Sequence, residues 1–112
     1  MKMTTLLREF IEKEEIVVVP GAYDAMSAKL IEAAGFLAAY ILGFGVPAGT
    51  FGFPDIGVLG MTEMADAAKG MASRVNIPLI AEADTGYGNH LNVLRTMEEY
   101  ECSGITGIQI ED

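Results

Sequence analysis

The sequence is poor in residue types that several common functions require. It contains no tryptophan, one cysteine and one histidine among 112 residues, and only 7 basic residues against 16 acidic ones. The net charge of −9 argues against a nucleic-acid backbone as partner. Because Cys102 is the only cysteine, it has no disulfide partner within the chain, and no histidine accompanies it in a recognisable catalytic arrangement.

Long hydrophobic runs are also missing. No uncharged apolar run approaches the roughly 20 residues that a membrane span requires. The N-terminus lacks the basic and then apolar layout of a secretory signal, since Glu9 and Glu12 follow it closely. We therefore expect a cytoplasmic protein without a membrane or nucleic-acid partner.

The apolar residues that are present alternate between strand-like and helix-like patterns. A short amphipathic helix is predicted over about 4–14. Strands are predicted at 16–19, at 38–42, at the start of 77–89 with Glu82 and Asp84 at its end, and at 105–111. Helices are predicted at 25–34, about 62–74 and 90–103, with Asp24, Thr62 and Asn89 as N-caps. Alternating strands and helices with short links predict an α/β fold with a parallel sheet.

The stretch at residues 77 to 89 changes from an apolar run to two acids and then to glycines. Side chains of a strand alternate, so Glu82 and Asp84 are predicted to point to one side of the sheet. Gly86 and Gly88 then permit a tight turn. Another acid, Glu111, comes at the end of the fourth predicted strand. This pattern predicts a polar site at the strand ends, although the same acids would also suit solvated loops.

Five segments of the sequence resemble those of a known family. In chain order they read Val19-Pro20-Gly21-Ala22-Tyr23-Asp24-Ala25, Gly52-Phe53-Pro54-Asp55-Ile56-Gly57, Ala83-Asp84-Thr85-Gly86-Tyr87-Gly88-Asn89, Asn92-Val93-Leu94-Arg95-Thr96 and Ile110-Glu111-Asp112. Together they resemble the isocitrate lyase and phosphoenolpyruvate mutase superfamily, with 2-methylisocitrate lyases and carboxyphosphonoenolpyruvate phosphonomutase-like proteins nearest in character.

The resemblance implies a (β/α)8 TIM barrel with its site at the C-terminal ends of the strands. Residues 1–112 would form the N-terminal half of that single domain, with the first four strands. The implied cofactor is Mg²⁺, with Mn²⁺ as the alternative ion. The implied metal ligands are Asp84, Glu82 and Glu111; the implied catalytic residues are Asp55 and Tyr40; the implied contacts to a small carboxylate or phosphonate substrate are Tyr40, Leu42, Gly43, Phe44 and Asp84.

The activity that the resemblance implies is carbon–carbon cleavage of a small 2-hydroxy acid of the 2-methylisocitrate or isocitrate type. An enolate-like pyruvate or glyoxylate unit would form, with the metal as Lewis acid and template. Phosphonomutase-like and oxaloacetate-cleaving reactions are the alternatives. The lyase loop of the family, Lys-Lys/Arg-Cys-Gly-His, follows the fourth strand and does not occur in this sequence, so we expect no turnover by these 112 residues alone.

Three positions depart from the family pattern and leave the substrate open. Glu82 stands where Asp is usual, Leu42 stands where lyases commonly have Ser, and Gln109 stands where many have His.

The fourth predicted strand would also have an unpaired edge. We therefore expect a homo-oligomer or pairing with a C-terminal half; the alternative is a half-barrel without catalytic activity that associates with itself.

Overall fold

The computed structural model describes residues 1–52, 54 and 59–111 of the chain. Its helices are α1 (Met3–Glu12), α2 (Ala25–Ala33), α3 (Met61–Ala72) and α4 (His90–Cys102), and a π-helical turn spans Pro47–Phe51. Its strands are β1 (Gly21–Ala22), β2 (Ala39–Ile41), β3 (Leu79–Glu82) and β4 (Gly107–Gln109). Asp55, the predicted pocket acid, lies outside the described residues.

The strands form one parallel sheet in the order β1-β2-β3-β4. Strands β2, β3 and β4 therefore each pair with the strand that precedes them in the chain, with a helix in each connection. This confirms the predicted α/β fold with parallel strands. Among the described residues, none of the helices is long and apolar enough to cross a membrane.

The predicted position of the first strand is wrong. Residues 16–19 precede the sheet, and two of them are largely solvent-exposed, Ile16 at 92% and Val18 at 62%. The ladder begins instead at Pro20, whose carbonyl accepts a hydrogen bond of 2.9 Å from the Tyr40 amide. Proline lacks an N–H, but a place at the start of an edge strand does not require one. The dipeptide Pro20-Gly21 therefore opens β1 rather than ending a strand.

The core lies between one face of the sheet and the helices. The sheet contributes small and branched residues, and the helices contribute methionines and a tyrosine: Ala22, Ala39, Ile41, Leu79, Ala81, Met64, Ala68, Met71 and Tyr100 are all buried. Helical spacing predicts Met64, Ala68, Met71 and Val75 as the apolar side of α3, and burial of all four confirms this prediction. The small sheet residues let the larger helix side chains fill the layer between sheet and helices.

Helical spacing predicts an apolar stripe of Met26, Leu30, Ile31 and Ala34 on α2 and one of Leu91, Leu94 and Met97 on α4, but of these residues only Ile31 packs against the core. On α2, Met26 is 72% exposed, and the buried residue is Ala28. On α4, Leu91, Leu94 and Met97 are exposed, whereas Thr96 and Tyr100 are buried. These two helices pack through other faces than their most hydrophobic ones, which a periodicity argument does not anticipate.

Two of the three predicted N-caps are confirmed. The Asp24 carboxylate accepts a hydrogen bond of 2.7 Å from the Ser27 amide, and the Asn89 side chain accepts from the first turn of α4. The prediction for Thr62 is wrong, because α3 begins at Met61 and its N-cap is Gly60. Glycine lets the chain enter the helix there, and the side chain of Glu63 accepts the Gly60 amide hydrogen at 3.3 Å.

Candidate active site

Three neighbouring strands place polar side chains near their carboxyl ends, and this end of the sheet is called the site edge below. In the register of β3 and β4, Glu82 is opposite Gln109, and in that of β2 and β3, Tyr40 is opposite Ile80. Since residues two apart share a face, Tyr40, Glu82 and Gln109 lie on the same face near the carboxyl ends of their strands. The Tyr40 hydroxyl donates a hydrogen bond to Oε1 of Gln109, across the intervening strand.

Glu82 holds the segment that follows β2. Its Oε2 accepts a hydrogen bond of 2.9 Å from the Gly43 amide. A Cβ at position 43 would lie only 2.5 Å from that same oxygen, so the carboxylate occupies the space that a side chain would need. The Gly43 amide was predicted to contact the substrate; in this structure its partner is Glu82.

The two residues on either side of Gly43 are placed differently. Leu42 is half-buried, and its side chain packs over Gly21, where a Cβ would lie 2.7 Å from the nearest Leu42 methyl carbon. Phe44 is 55% exposed. An apolar side chain therefore stands beside Tyr40 on the site face of the sheet, as the sequence predicts from the spacing of Tyr40 and Leu42.

Asp84 leaves the strand in a conformation that the sequence did not anticipate. β3 ends at Glu82, and Asp84 has φ of 51°, in the left-handed region that few residues other than glycine adopt. Strand alternation therefore does not set the direction of the Asp84 side chain, and it gives no reason for Asp84 and Glu82 to share one face. The Asp84 carbonyl accepts a hydrogen bond of 2.8 Å from the Glu111 amide, which brings the end of β4 to this turn.

The charges of the site edge act on its tyrosines. Partial burial raises the pKa of the Tyr40 phenol, and the negative charges of Glu82 and Glu111 raise that pKa further. Burial also raises the pKa of Tyr87; its neighbour Tyr100 opposes this increase, whereas Asp84 and Glu82 add to it. Both phenols therefore remain protonated at neutral pH, and Tyr40 serves as a hydrogen-bond donor.

The acids of the site edge do not form a ready-made metal cluster. Within residues 1–52, 54 and 59–111, no group of three or more His, Cys, Asp and Glu side chains is arranged to hold an ion. Mg²⁺, however, commonly takes one or two carboxylates and fills its remaining positions with water and substrate oxygens. The donor chemistry of Asp84, Glu82 and Glu111 fits that requirement, and their role as metal ligands stays a prediction.

Sequence reasoning missed the residues behind the turn. Thr96 is 1% exposed, and its hydroxyl donates a hydrogen bond of 2.8 Å to the Gly86 carbonyl. The Tyr100 hydroxyl is buried, and none of the described residues gives it a hydrogen bond of ordinary geometry. The available signal was the spacing of Thr96 and Tyr100 by one helical turn, which places both on one face of α4.

A parallel βα sheet with acidic, amide and phenol groups at the carboxyl ends of its strands is typical of enzymes with α/β-barrel folds. Comparison with known proteins agrees. The family model described as phosphoenolpyruvate phosphomutase matches residues 7–112. The chain therefore belongs to this family of enzymes, within the phosphoenolpyruvate mutase and isocitrate lyase superfamily.

Two curated relatives and one solved structure illustrate the likeness. The chain is 46% identical over 112 residues to 2,3-dimethylmalate lyase of Eubacterium barkeri, covering all of this chain and 39% of that protein. It is 41% identical over 105 residues to 2-methylisocitrate lyase of Halalkalibacterium halodurans, covering 94% of this chain and 35% of the relative. A crystal structure of phosphonopyruvate hydrolase in complex with oxalate and Mg²⁺ superimposes with a TM-score of 0.94 at 34% identity, covering 100% of this chain and 39% of that one.

These comparisons confirm the predicted superfamily and the barrel-type fold. The chain spans between a third and two fifths of the length of these relatives. Members of the superfamily include carbon–carbon lyases and mutases.

Proposed function

We propose that the chain contributes one part of the active site of a Mg²⁺-dependent carbon–carbon lyase that acts on a small 2-hydroxy carboxylic acid. The observation that carries the proposal is the arrangement of Tyr40, Glu82 and Gln109 on one face at the carboxyl ends of adjacent strands, beside the turn that bears Asp84. The sequence identity that the chain shares with a dimethylmalate lyase and a methylisocitrate lyase supports the lyase reaction.

The proposed ligands of the metal are Asp84 and, directly or through water, Glu82 and Glu111. When bound, Mg²⁺ would stabilise the negative charge that develops on a substrate oxygen during cleavage. Glu82 uses Oε2 to hold the Gly43 amide, and its other oxygen remains for a metal or a metal-bound water. Mn²⁺, which also prefers oxygen ligands, is expected to substitute for Mg²⁺.

The proposed role of Tyr40 is to donate a hydrogen bond. Its raised pKa keeps the phenol protonated, and Gln109 orients the hydroxyl by accepting its hydrogen. A substrate carboxylate that replaced Gln109 as acceptor would gain a charged hydrogen bond, which is stronger than a neutral one. Leu42 and Phe44 would form the apolar wall, which suits the alkyl part of a branched 2-hydroxy acid, and Asp55 is proposed as the further pocket acid.

The test is a calorimetric titration of oxalate, a planar dicarboxylate that resembles the pyruvate enolate. We expect oxalate to bind in the presence of Mg²⁺, and to lose that binding in EDTA and in Asp84→Asn. Asp66→Asn, on the exposed surface of α3, is the matched control and should bind normally. Oxalate binding that is equal with Mg²⁺ and with EDTA would disprove the metal-dependent site.

Competition against bound oxalate distinguishes the lyase from the mutase alternative. We expect 2-methylisocitrate to displace oxalate at lower concentration than phosphonopyruvate does, because the apolar wall favours a branched carboxylic acid. The reverse order would replace the lyase proposal with the phosphonomutase-like one. Release of pyruvate from 2-methylisocitrate by this chain, dependent on Mg²⁺ and abolished in Asp84→Ala, would overturn the expectation that these residues need further groups for turnover.

A second proposal concerns association. In the described sheet, β1 and β4 each pair on one side only. Exposed parallel edges favour pairing with further strands, so we propose a homo-oligomer or an assembly with a C-terminal half. Sedimentation velocity that shows a single stable monomer at all concentrations would disprove association of this chain with itself.

A further inference from the structure

The turn between β3 and α4 has an unusual backbone. Two of its residues other than glycine, Asp84 and Tyr87, have φ of 51° and 62°, and Gly86 has φ of 94°. Left-handed conformations at such residues are uncommon and are retained where the surrounding structure enforces them. The position of the Asp84 carboxylate therefore depends on whatever holds this turn.

Hydrogen bonds from three directions hold it. Within the turn, the Gly86 amide donates to the Ala83 carbonyl at 2.9 Å. From β4, the Glu111 amide donates to the Asp84 carbonyl at 2.8 Å. From α4, the Thr96 hydroxyl donates to the Gly86 carbonyl at 2.8 Å, and this is the one side-chain hydrogen bond to the turn that the described structure buries completely.

Two features show that the threonine is directed to the turn rather than to its own helix. A threonine inside a helix commonly bonds the carbonyl one turn back, but this hydroxyl reaches across to Gly86 instead. Val93, one turn earlier on α4, packs so closely that a Cβ at Gly86 would lie 2.4 Å from its Cγ2. Gly86 is thus enclosed by α4, with its carbonyl held by Thr96.

We propose that Thr96 is a positioning residue that fixes the turn at 84–88 and thereby orients the Asp84 carboxylate toward a divalent cation. This inference rests on the proposed metal site, but the turn and the site can be tested separately. Thr96 touches neither metal nor substrate in this scheme; it acts through the backbone between itself and Asp84.

The test compares Thr96→Val, which keeps the shape of the side chain and removes the donor, with Thr96→Ser, which keeps the donor. Mg²⁺ affinity is measured by calorimetry, and the turn is followed through the backbone amide shifts and hydrogen exchange of Gly86 and Tyr87. We expect Thr96→Val to weaken Mg²⁺ binding by about tenfold, as removal of residues that orient metal ligands commonly does, and to change the turn signals. Thr96→Ser should restore both.

Thr5→Val, the same substitution at an exposed position on α1, is the control and should leave both readouts unchanged. If Thr96→Val does not fold, Thr96→Ala removes the same donor. A folded Thr96→Val that has wild-type affinity and wild-type turn signals would overturn the inference, and so would a lowered melting temperature with no change in either readout. If the wild-type chain binds no Mg²⁺, the proposed function fails, and the turn signals alone decide the role of Thr96.

Discussion

Replacing Gly43 by alanine is a direct test of the contact between the β2 segment and Glu82. The new Cβ would lie 2.5 Å from Oε2 and 2.6 Å from Cδ of Glu82, distances at which an atom must move. The atom that moves is the end of a flexible carboxylate, and the backbone at Gly43 is not in the left-handed region that would strain an alanine. The main cost is therefore the hydrogen bond from the Gly43 amide, not the backbone.

The free energy lost with this hydrogen bond depends on how far Glu82 is buried. A hydrogen bond to a charged group contributes about 1.5–3 kcal/mol. Glu82 is half-buried, so water replaces part of that value when the carboxylate moves away, and alanine recovers a few tenths of a kcal/mol by restricting the unfolded chain. We expect a net loss of about 1 kcal/mol, which lowers the melting temperature of a chain of this length by about 4 °C.

The assay is thermal and urea unfolding followed by circular dichroism. Gly70→Ala is the matched control, because nothing lies within 4 Å of its added Cβ and alanine is the better helix former in α3; it should stabilise by up to about 1 kcal/mol. In the Glu82→Ala background the cost of Gly43→Ala should disappear, since the contact is already lost. An undiminished cost in that background would show that the contact between Gly43 and Glu82 is not its cause.

Three further predictions concern the helices and the tyrosines. Asn89→Ala should lower the free energy of unfolding by about 1 kcal/mol through loss of the α4 cap, and Asn89→Asp should not; equal urea midpoints for the two variants would contradict this. Met71→Ala, at a position 1% exposed, should cost about 2–5 kcal/mol and Met71→Leu less than about 1.5 kcal/mol in urea unfolding, whereas similar losses for both would argue against a tightly packed core. Because the folded pKa values of Tyr40 and Tyr87 are raised, their stabilising contribution is complete below the unfolded pKa and is lost as pH rises through the folded values. Urea midpoints should thus fall as pH rises above about 10, less steeply in Tyr40→Phe, and an identical slope in that variant would contradict the assignment.

The sequence predicted most of the fold because its signals are local. The order of strands and helices could be predicted from proline, glycine, N-cap residues and apolar runs. The segments that resemble the family then predicted a barrel fold. The prediction of the first strand failed because a β-branched run indicates that a segment suits a sheet, but not whether a partner strand lies beside it. Helical spacing also misjudged α4, where the threonine and tyrosine that pack inward are less hydrophobic than the leucines that do not.

Whether the residues at the strand ends form a functional site stays a prediction, and the geometry of those strand ends was predicted only in part. The acids at strand ends were visible in the spacing, and Glu82 and Gln109 do lie side by side. The left-handed backbone of Asp84 could not be predicted, because an aspartate in an otherwise extended stretch gives no sign of it. The hydrogen bond from Gly43 to Glu82 joins residues 39 positions apart and depends on the register of two strands, which local patterns do not specify.

The order of the strands has a consequence for how the protein is made. In the described sheet, β2, β3 and β4 each pair with the strand that precedes them in the chain, so only β1 must wait for a later segment before it finds a partner. A ribosome releases about 5–20 residues per second, slowly enough for each helix and strand to settle on the sheet already formed. The sheet can therefore grow from the N-terminus one βα unit at a time, and each newly added strand becomes the template for the next.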